Sequence, residues 1–312
     1  MKKVTIFGLF IFILFFITGC FPKEEKADIY TSIYPLEFLV TNIVGDNMTV
    51  KSAYPRGANV HEYEIPPRRI VYMSESKAIF YIGAGLEVFI MNAKDTSFKN
   101  LGDRVVELSK HVTMLEQGEG GHSHSHDHEH DEMILDPHIW LDPLRMVVMA
   151  EKILEKVIEI MPEKEEEFTE NAARVIDRLQ KLDQKYRDAL SSDIYKNKYI
   201  LVDHDAYLYW EDRYGIKRIR IRPDNQSTDI DPKKLQQNLK LIEQYNIKHI
   251  VVTENEASSA VVETYKREAN LEIKTLYSVS TISDRQYEQG LDYIDLMEYN
   301  LNVLKEILPK KD

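Results

Sequence analysis

Cysteine is almost missing: Cys20 is the one thiol in 312 residues. A disulfide within the chain is therefore excluded, and so is a zinc site built on thiolates. Positive charge is in deficit as well, with 40 Lys and Arg against 52 Asp and Glu and a formal net charge of −12. That balance argues against nucleic acid or an anionic lipid surface as a partner, and it suits a cation as ligand. Long apolar runs are scarce too. After residues 4–17 there is no second one, so the rest is expected to be a soluble body. Its length suggests about two domains.

What is there begins with Met1-Lys2-Lys3, a short basic start, and the apolar run at 4–17 that ends Ile17-Thr18-Gly19-Cys20. A spanning helix needs about 20 apolar residues, so the run reads as a secretory signal instead. The small residues before Cys20 are similar to a lipoprotein signal. The expectation is cleavage of 1–19, lipidation of Cys20 and a polar leash over 20–27. The product would be extracytoplasmic and tethered to the cell membrane.

Histidine is concentrated where cysteine is not. His122, His124, His126, His128 and His130 alternate through a Gly-, Ser- and acid-rich tract, and His138 follows in Asp136-Pro137-His138-Ile139-Trp140-Leu141-Asp142-Pro143. Neutral imidazole is the commonest side-chain ligand for borderline metals. The two parts differ, though. The tract at 118–132 has almost nothing apolar to offset the entropy of ordering and is expected to be a mobile loop, holding metal weakly in many arrangements. A solvated acidic spacer is the alternative. His138 sits among Ile134, Leu135, Ile139, Trp140 and Leu141, which predicts a packed and oriented ring, either a ligand or a satisfied core histidine.

Strand and helix patterns alternate on either side of this stretch. Strands are predicted at 28–33, 48–54 and 78–83, with helices at 36–44 and 68–76; such alternation implies parallel βαβ units. In open sheets of that kind, ligands lie beyond the carboxyl ends of strands. His61 falls there, after the second strand and the turn Pro55-Arg56-Gly57. Helices follow at 144–160 and from about 163 to 190. The latter carries Phe168, Ala172, Val175, Leu179, Leu182 and Tyr186 near helical spacing. Its length of roughly 40 Å suits a bridge between two bodies. A second series runs on, with strands at 199–203, 216–221, 249–253 and 273–276 and a last helix from 287 to about 308. His204 stands directly after the first of these strands, as His61 does after its own. His249 begins a strand, at the wrong end for a ligand, and His111 has no supporting context.

Three histidines in strand-end or packed positions suggest one metal between two lobes. At this point the chain resembles a known family, the zinc-type solute-binding lipoproteins of metal ABC importers (cluster A-I). The matching pieces are Tyr54-Pro55-Arg56-Gly57-Ala58-Asn59-Val60-His61-Glu62-Tyr63-Glu64, Asp136 to Pro143, His204-Asp205-Ala206-Tyr207 leading to Tyr214-Gly215-Ile216, and Thr253-Glu254. The resemblance implies an α/β fold of two lobes, each a parallel sheet flanked by helices, joined by one long rigid helix with metal in the cleft. The lobes would be 28–160 and 191–312, with the bridging helix at 161–190. It also implies His61, His138 and His204 as ligands, zinc as cargo, an ABC permease as partner and a monomer. A histidine at 204 gives a nitrogen-rich site, which favours zinc over the harder manganese ion.

The fourth ligand stays open. Where the family often has an acid after the last strand, this chain reads Leu276-Tyr277-Ser278-Val279-Ser280-Thr281. Water, Asp284, Glu62 or a histidine of the tract are the candidates. Asp136, Asp142, Glu62 and Asp205 are candidates to orient the imidazoles through their second nitrogens, with turn chemistry as the alternative role. Three histidines and a water also describe catalytic zinc sites. No His-Glu-x-x-His pattern or obvious general base accompanies them here. A manganese or iron receptor of the same fold, and an adhesin or zinc buffer, are further alternatives.

Overall fold

The computed structural model describes residues 26–117, 134–222, 230–254 and 259–311. The signal segment, Cys20 and the alternating histidines lie outside the described residues.

The first half forms a four-stranded parallel sheet from β1 (Ile29–Thr31), β2 (Val50–Ser52), β3 (Ala78–Tyr81) and β4 (Val105–Glu107) in the order β2-β1-β3-β4. Its helices are α1 (Tyr34–Val44), α2 (Pro67–Ser74) and α3 (Val88–Lys94). The second half repeats the plan. There β5 (Tyr199–Val202), β6 (Lys217–Arg220), β7 (His249–Thr253) and β8 (Glu272–Leu276) pair in the order β6-β5-β7-β8, all parallel. Between the two halves run α4 (Pro143–Ile160) and α5 (Glu165–Ala189). In the second half come α6 (Leu208–Tyr214), α7 (Pro232–Gln244), α8 (Ala260–Ala269), α9 (Asp284–Glu288) and α10 (Tyr293–Ile307).

Both sheets are covered on both faces, as parallel sheets must be. Alternation along each strand assigns the layers. Phe80 points into the central core while its neighbours Ile79 and Tyr81 pack outward with Ile90 and Phe98. Likewise Ile200 and Val202 join the central core, and Leu201 packs outward with Ile250 and Val261. The central core is continuous between the lobes: Leu39 of α1, Val175 of α5, Trp210 of α6 and Leu304 of α10 belong to one buried cluster.

Helix α5 is the reason for that continuity. Phe168, Ala172, Val175, Leu179, Leu182 and Tyr186 are all buried on one face, the stripe an amphipathic helix presents to a core. Its N-terminal half is tied to the first lobe, where Asn171 Nδ2 donates to the Ile43 carbonyl at 2.9 Å. Its C-terminal half is tied to the second, where Tyr186 Oη donates to the Met297 carbonyl at 2.6 Å. The two α/β lobes are thus joined by one long helix. Proline punctuates its start, since a turn of 3-10 helix at Pro162–Lys164 precedes α5 and separates it from α4.

Two further sequence expectations are adjusted. The helix predicted over 287–308 is two helices, because Gly290 takes a positive φ of 74° and Asp292 then caps α10 with a capping box. Strand β4 and helix α3, absent from the sequence reading, complete the first lobe. Among the described residues no helix is long and apolar enough to cross a membrane.

Candidate metal centre

Each strand order reverses at one point, between β1 and β3 in the first sheet and between β5 and β7 in the second, and ligands collect beyond the carboxyl ends there. The residues lining a cavity of about 20 Å³ obey this rule in detail. His204 follows β5, Thr253 ends β7 and Glu254 follows it, Ser278 and Ser280 lie past β8, and Ala58, Asn59 and His61 lie past β2. His138 and Trp140 complete the wall. The volume suits one water or one bare ion.

His61, His138 and His204 each offer a ring nitrogen, and these atoms all lie within 4.8 Å of one another. Among the described residues this is the one such convergence of three or more His, Cys, Asp or Glu side chains. His138 Nε2 and His204 Nε2 are 3.3 Å apart. The ring centroids are separated by 5.8 Å (His61 to His138), 5.1 Å (His61 to His204) and 5.4 Å (His138 to His204). His138 and His204 are buried, 2% and 7% exposed. His61 is exposed, on a turn between β2 and α2.

His138 is oriented by its own segment. Asp136 Oδ1 accepts both the His138 backbone N–H and its Nδ1, each at 2.8 Å. With the carboxylate ionised, Nδ1 carries the proton and Nε2 presents its lone pair to the cavity. The segment around it is fastened to the second lobe. Tyr209 Oη donates to the Asp136 carbonyl at 2.7 Å, and Trp210 Nε1 to the Leu141 carbonyl at 2.8 Å. Tyr293 Oη donates to the Trp140 carbonyl at 2.6 Å, and Trp140 Nε1 to the Ser278 carbonyl at 2.8 Å. A turn from the first half of the chain is therefore held in place largely by aromatic donors of the second.

The other acids expected near the imidazoles do not line the cavity. Asp142 caps α4, accepting from Leu144 N at 2.9 Å, and pairs with Arg145 and Arg213. Asp205 pairs with Arg218 and Arg220. Glu62 and Asp284 are absent from the cavity wall; Asp284 lies 3.7 Å from the Arg56 guanidinium instead. The carboxylate that does line the cavity is Glu254, part of the matching Thr253-Glu254 pair but not among the expected ligands. Its oxygens accept from Ser278 N at 2.7 Å and Ser278 Oγ at 3.0 Å, so the residues standing where an acid is common anchor an acid from the neighbouring strand. Its place directly after β7 was the available signal. His249 begins β7, away from the cavity, with Glu272 3.7 Å away.

Known proteins share both sequence and architecture. The zinc-binding protein AdcA of Streptococcus pyogenes serotype M6 is 30% identical over 310 residues, covering 93% of this chain; this chain spans 59% of that protein's length. The high-affinity zinc uptake system protein ZnuA of Bacillus subtilis is 29% identical over 293 residues, covering 92% of this chain and 89% of that protein. The crystal structure of Zn(II)-bound AdcA from Streptococcus pneumoniae superposes with a TM-score of 0.75 at 26% identity, over 91% of this chain and 58% of that one. The pattern described by the family of periplasmic zinc-uptake complex component A extends over residues 29–307, which takes in both sheets, the joining helix and all three converging histidines, and the chain belongs to that ZnuA family.

Proposed function

We propose that this protein is an extracytoplasmic receptor that captures Zn(II) between its lobes and delivers it to the permease of an ABC importer. His61, His138 and His204 are the ligands in this reading, with water or Glu254 completing the shell. The observation that carries it is the spacing of the nitrogens. Two ligands at Zn–N distances of 2.0–2.1 Å and a tetrahedral angle stand about 3.3 Å apart, and His138 Nε2 and His204 Nε2 are separated by 3.3 Å. Three imidazoles also favour zinc over manganese. The zinc-bound AdcA structure and the named function of the ZnuA relative support the same cargo.

The remaining parts of the reading follow from the sequence. Cys20 is the lipid attachment, 1–19 the signal, and 161–190 the link between lobes 28–160 and 191–312. The protein works as a monomer. The histidines of 118–132 raise the local zinc concentration near the site, as a tethered ligand does by effective concentration. Turnover is not part of this function: zinc-loaded protein is expected to hydrolyse esters and peptides no faster than free zinc.

Calorimetric titration of metal-stripped residues 21–312 tests the division of roles. One tight zinc equivalent, resistant to manganese competition, is expected in the wild type and after deletion of Gly118 to Asp131. His138→Ala is expected to abolish it. Loss of all zinc binding with the deletion would leave the three histidines as structural residues and end the receptor reading.

A further inference from the structure

Of the three converging histidines, His61 alone is exposed, and it lies on a turn. Its ring position depends on how that turn is anchored. Locally Asn59 serves, accepting the His61 N–H on Oδ1 at 3.0 Å. The stronger anchorage crosses the cleft. Gly57 N donates to the Ile282 carbonyl at 3.0 Å and to Thr281 Oγ1 at 2.8 Å. Beside it, the Arg56 guanidinium lies over the Tyr287 ring, 3.5 Å from its centroid, and 3.7 Å from Asp284.

The receiving surface is firm. Ile282 is 1% exposed, and Ser283 starts α9 with a complete capping box to Gln286. Two consecutive residues of the first lobe thus rest on a fixed ledge of the second, four residues before a candidate ligand.

We propose that Arg56 is a positioning residue that clamps the His61 turn to the second lobe through Tyr287 and thereby slows the departure of bound metal. This rests on the receptor reading above, with His61 as a ligand. The exposed ligand is the one that detaches first, so what holds its turn sets the release rate. Stacking dominates the clamp. Asp284 is 77% exposed in its side chain, so its pairing is screened by solvent and worth little. A guanidinium over an aromatic face is held by the ring quadrupole and by close packing even where the ring is exposed, as Tyr287 is at 49%. Tyr287 should therefore matter more than Asp284. The Gly57 bonds are backbone-borne and persist in side-chain variants, leaving a weakened clamp and not a lost site.

The test is stopped-flow transfer of zinc from the loaded full chain to excess EDTA. Arg56→Ala and Tyr287→Ala are each expected to release zinc about three- to fivefold faster than wild type, from the strength of such stacking at an exposed site. The double variant should be no faster than either single one, whereas Tyr287→Phe and Asp284→Ala should stay within about twofold of wild type. Melting of the metal-free variants should match wild type, which separates clamping from folding. Wild-type release by Arg56→Ala, or additive effects in the double variant, overturns the clamp. Failure of the wild-type chain to retain zinc overturns the receptor reading, and the clamp with it.

Discussion

Asp136 accepts two bonds from one residue, the amide and the Nδ1 of His138, and is itself completely buried. Among the described residues its second oxygen has no hydrogen-bond partner. A buried carboxylate held by so few donors is costly to keep charged unless a cation compensates it. Zinc on the far side of the imidazole would do so, through the chain carboxylate, imidazole, metal that commonly tunes such ligands. Asp136→Asn keeps the size and one acceptor but removes the charge. It is expected to weaken zinc binding by about 10- to 100-fold while leaving the metal-free protein as stable as wild type, or more so, because an uncompensated buried charge disappears. Calorimetric titration beside a melting curve reads both. Unchanged affinity would assign Asp136 to turn formation alone.

At the scale of elements, the second lobe was legible because β5 and β7 are largely apolar runs, while β6 and β8 mix apolar residues with charged ones in short stretches between helices. All four were foreseen, as was the face of α5, whose buried residues are those of the sequence stripe. Strand β4 was not, since three residues between Arg104 and Leu108 carry too short a pattern to be distinguished from a loop. The histidines at 61, 138 and 204 could be grouped from their places after strands and within an apolar motif. What holds them could not: the donors from Tyr209, Trp210 and Tyr293 to the 136–141 segment come from 73, 69 and 153 residues away. The break before α10 was missed for a local reason, since a helical pattern continues through Gly290 and only the cap reveals the stop. Asp292 accepts from Ile294 N at 2.9 Å and pairs with Arg178 of α5 at 2.5 Å. The pair is partly exposed and adds little, so Asp292→Ala is expected to cost mainly the cap, about 1–2 kcal/mol. Urea unfolding should show a lower midpoint with an unchanged slope, whereas a cost near zero would mean that packing alone starts α10.

At the scale of the whole molecule, two sheets of the same strand order could have been two independent folding units, each with its own core. The cores outside the sheets are separate, but the central one is shared, because α5 buries one continuous stripe against α1, α4 and α10. Removing either lobe would expose Phe168 and Val175 on one side or Leu182 and Tyr186 on the other. Burial of that kind contributes about 1.5–3 kcal/mol for each large side chain, so neither lobe is expected to survive the unfolding of the other. Thermal unfolding of the metal-free protein should therefore be a single transition by calorimetry. Zinc bound as proposed, where His61 and His138 meet His204 across the lobes, should stabilise the folded state by mass action, about 4 kcal/mol at a thousandfold excess over Kd. The transition should move up without splitting, and His138→Ala should lose the shift. Two transitions, with zinc raising only one, would place the complete site within a single lobe and contradict the shared cleft on which the proposed capture depends.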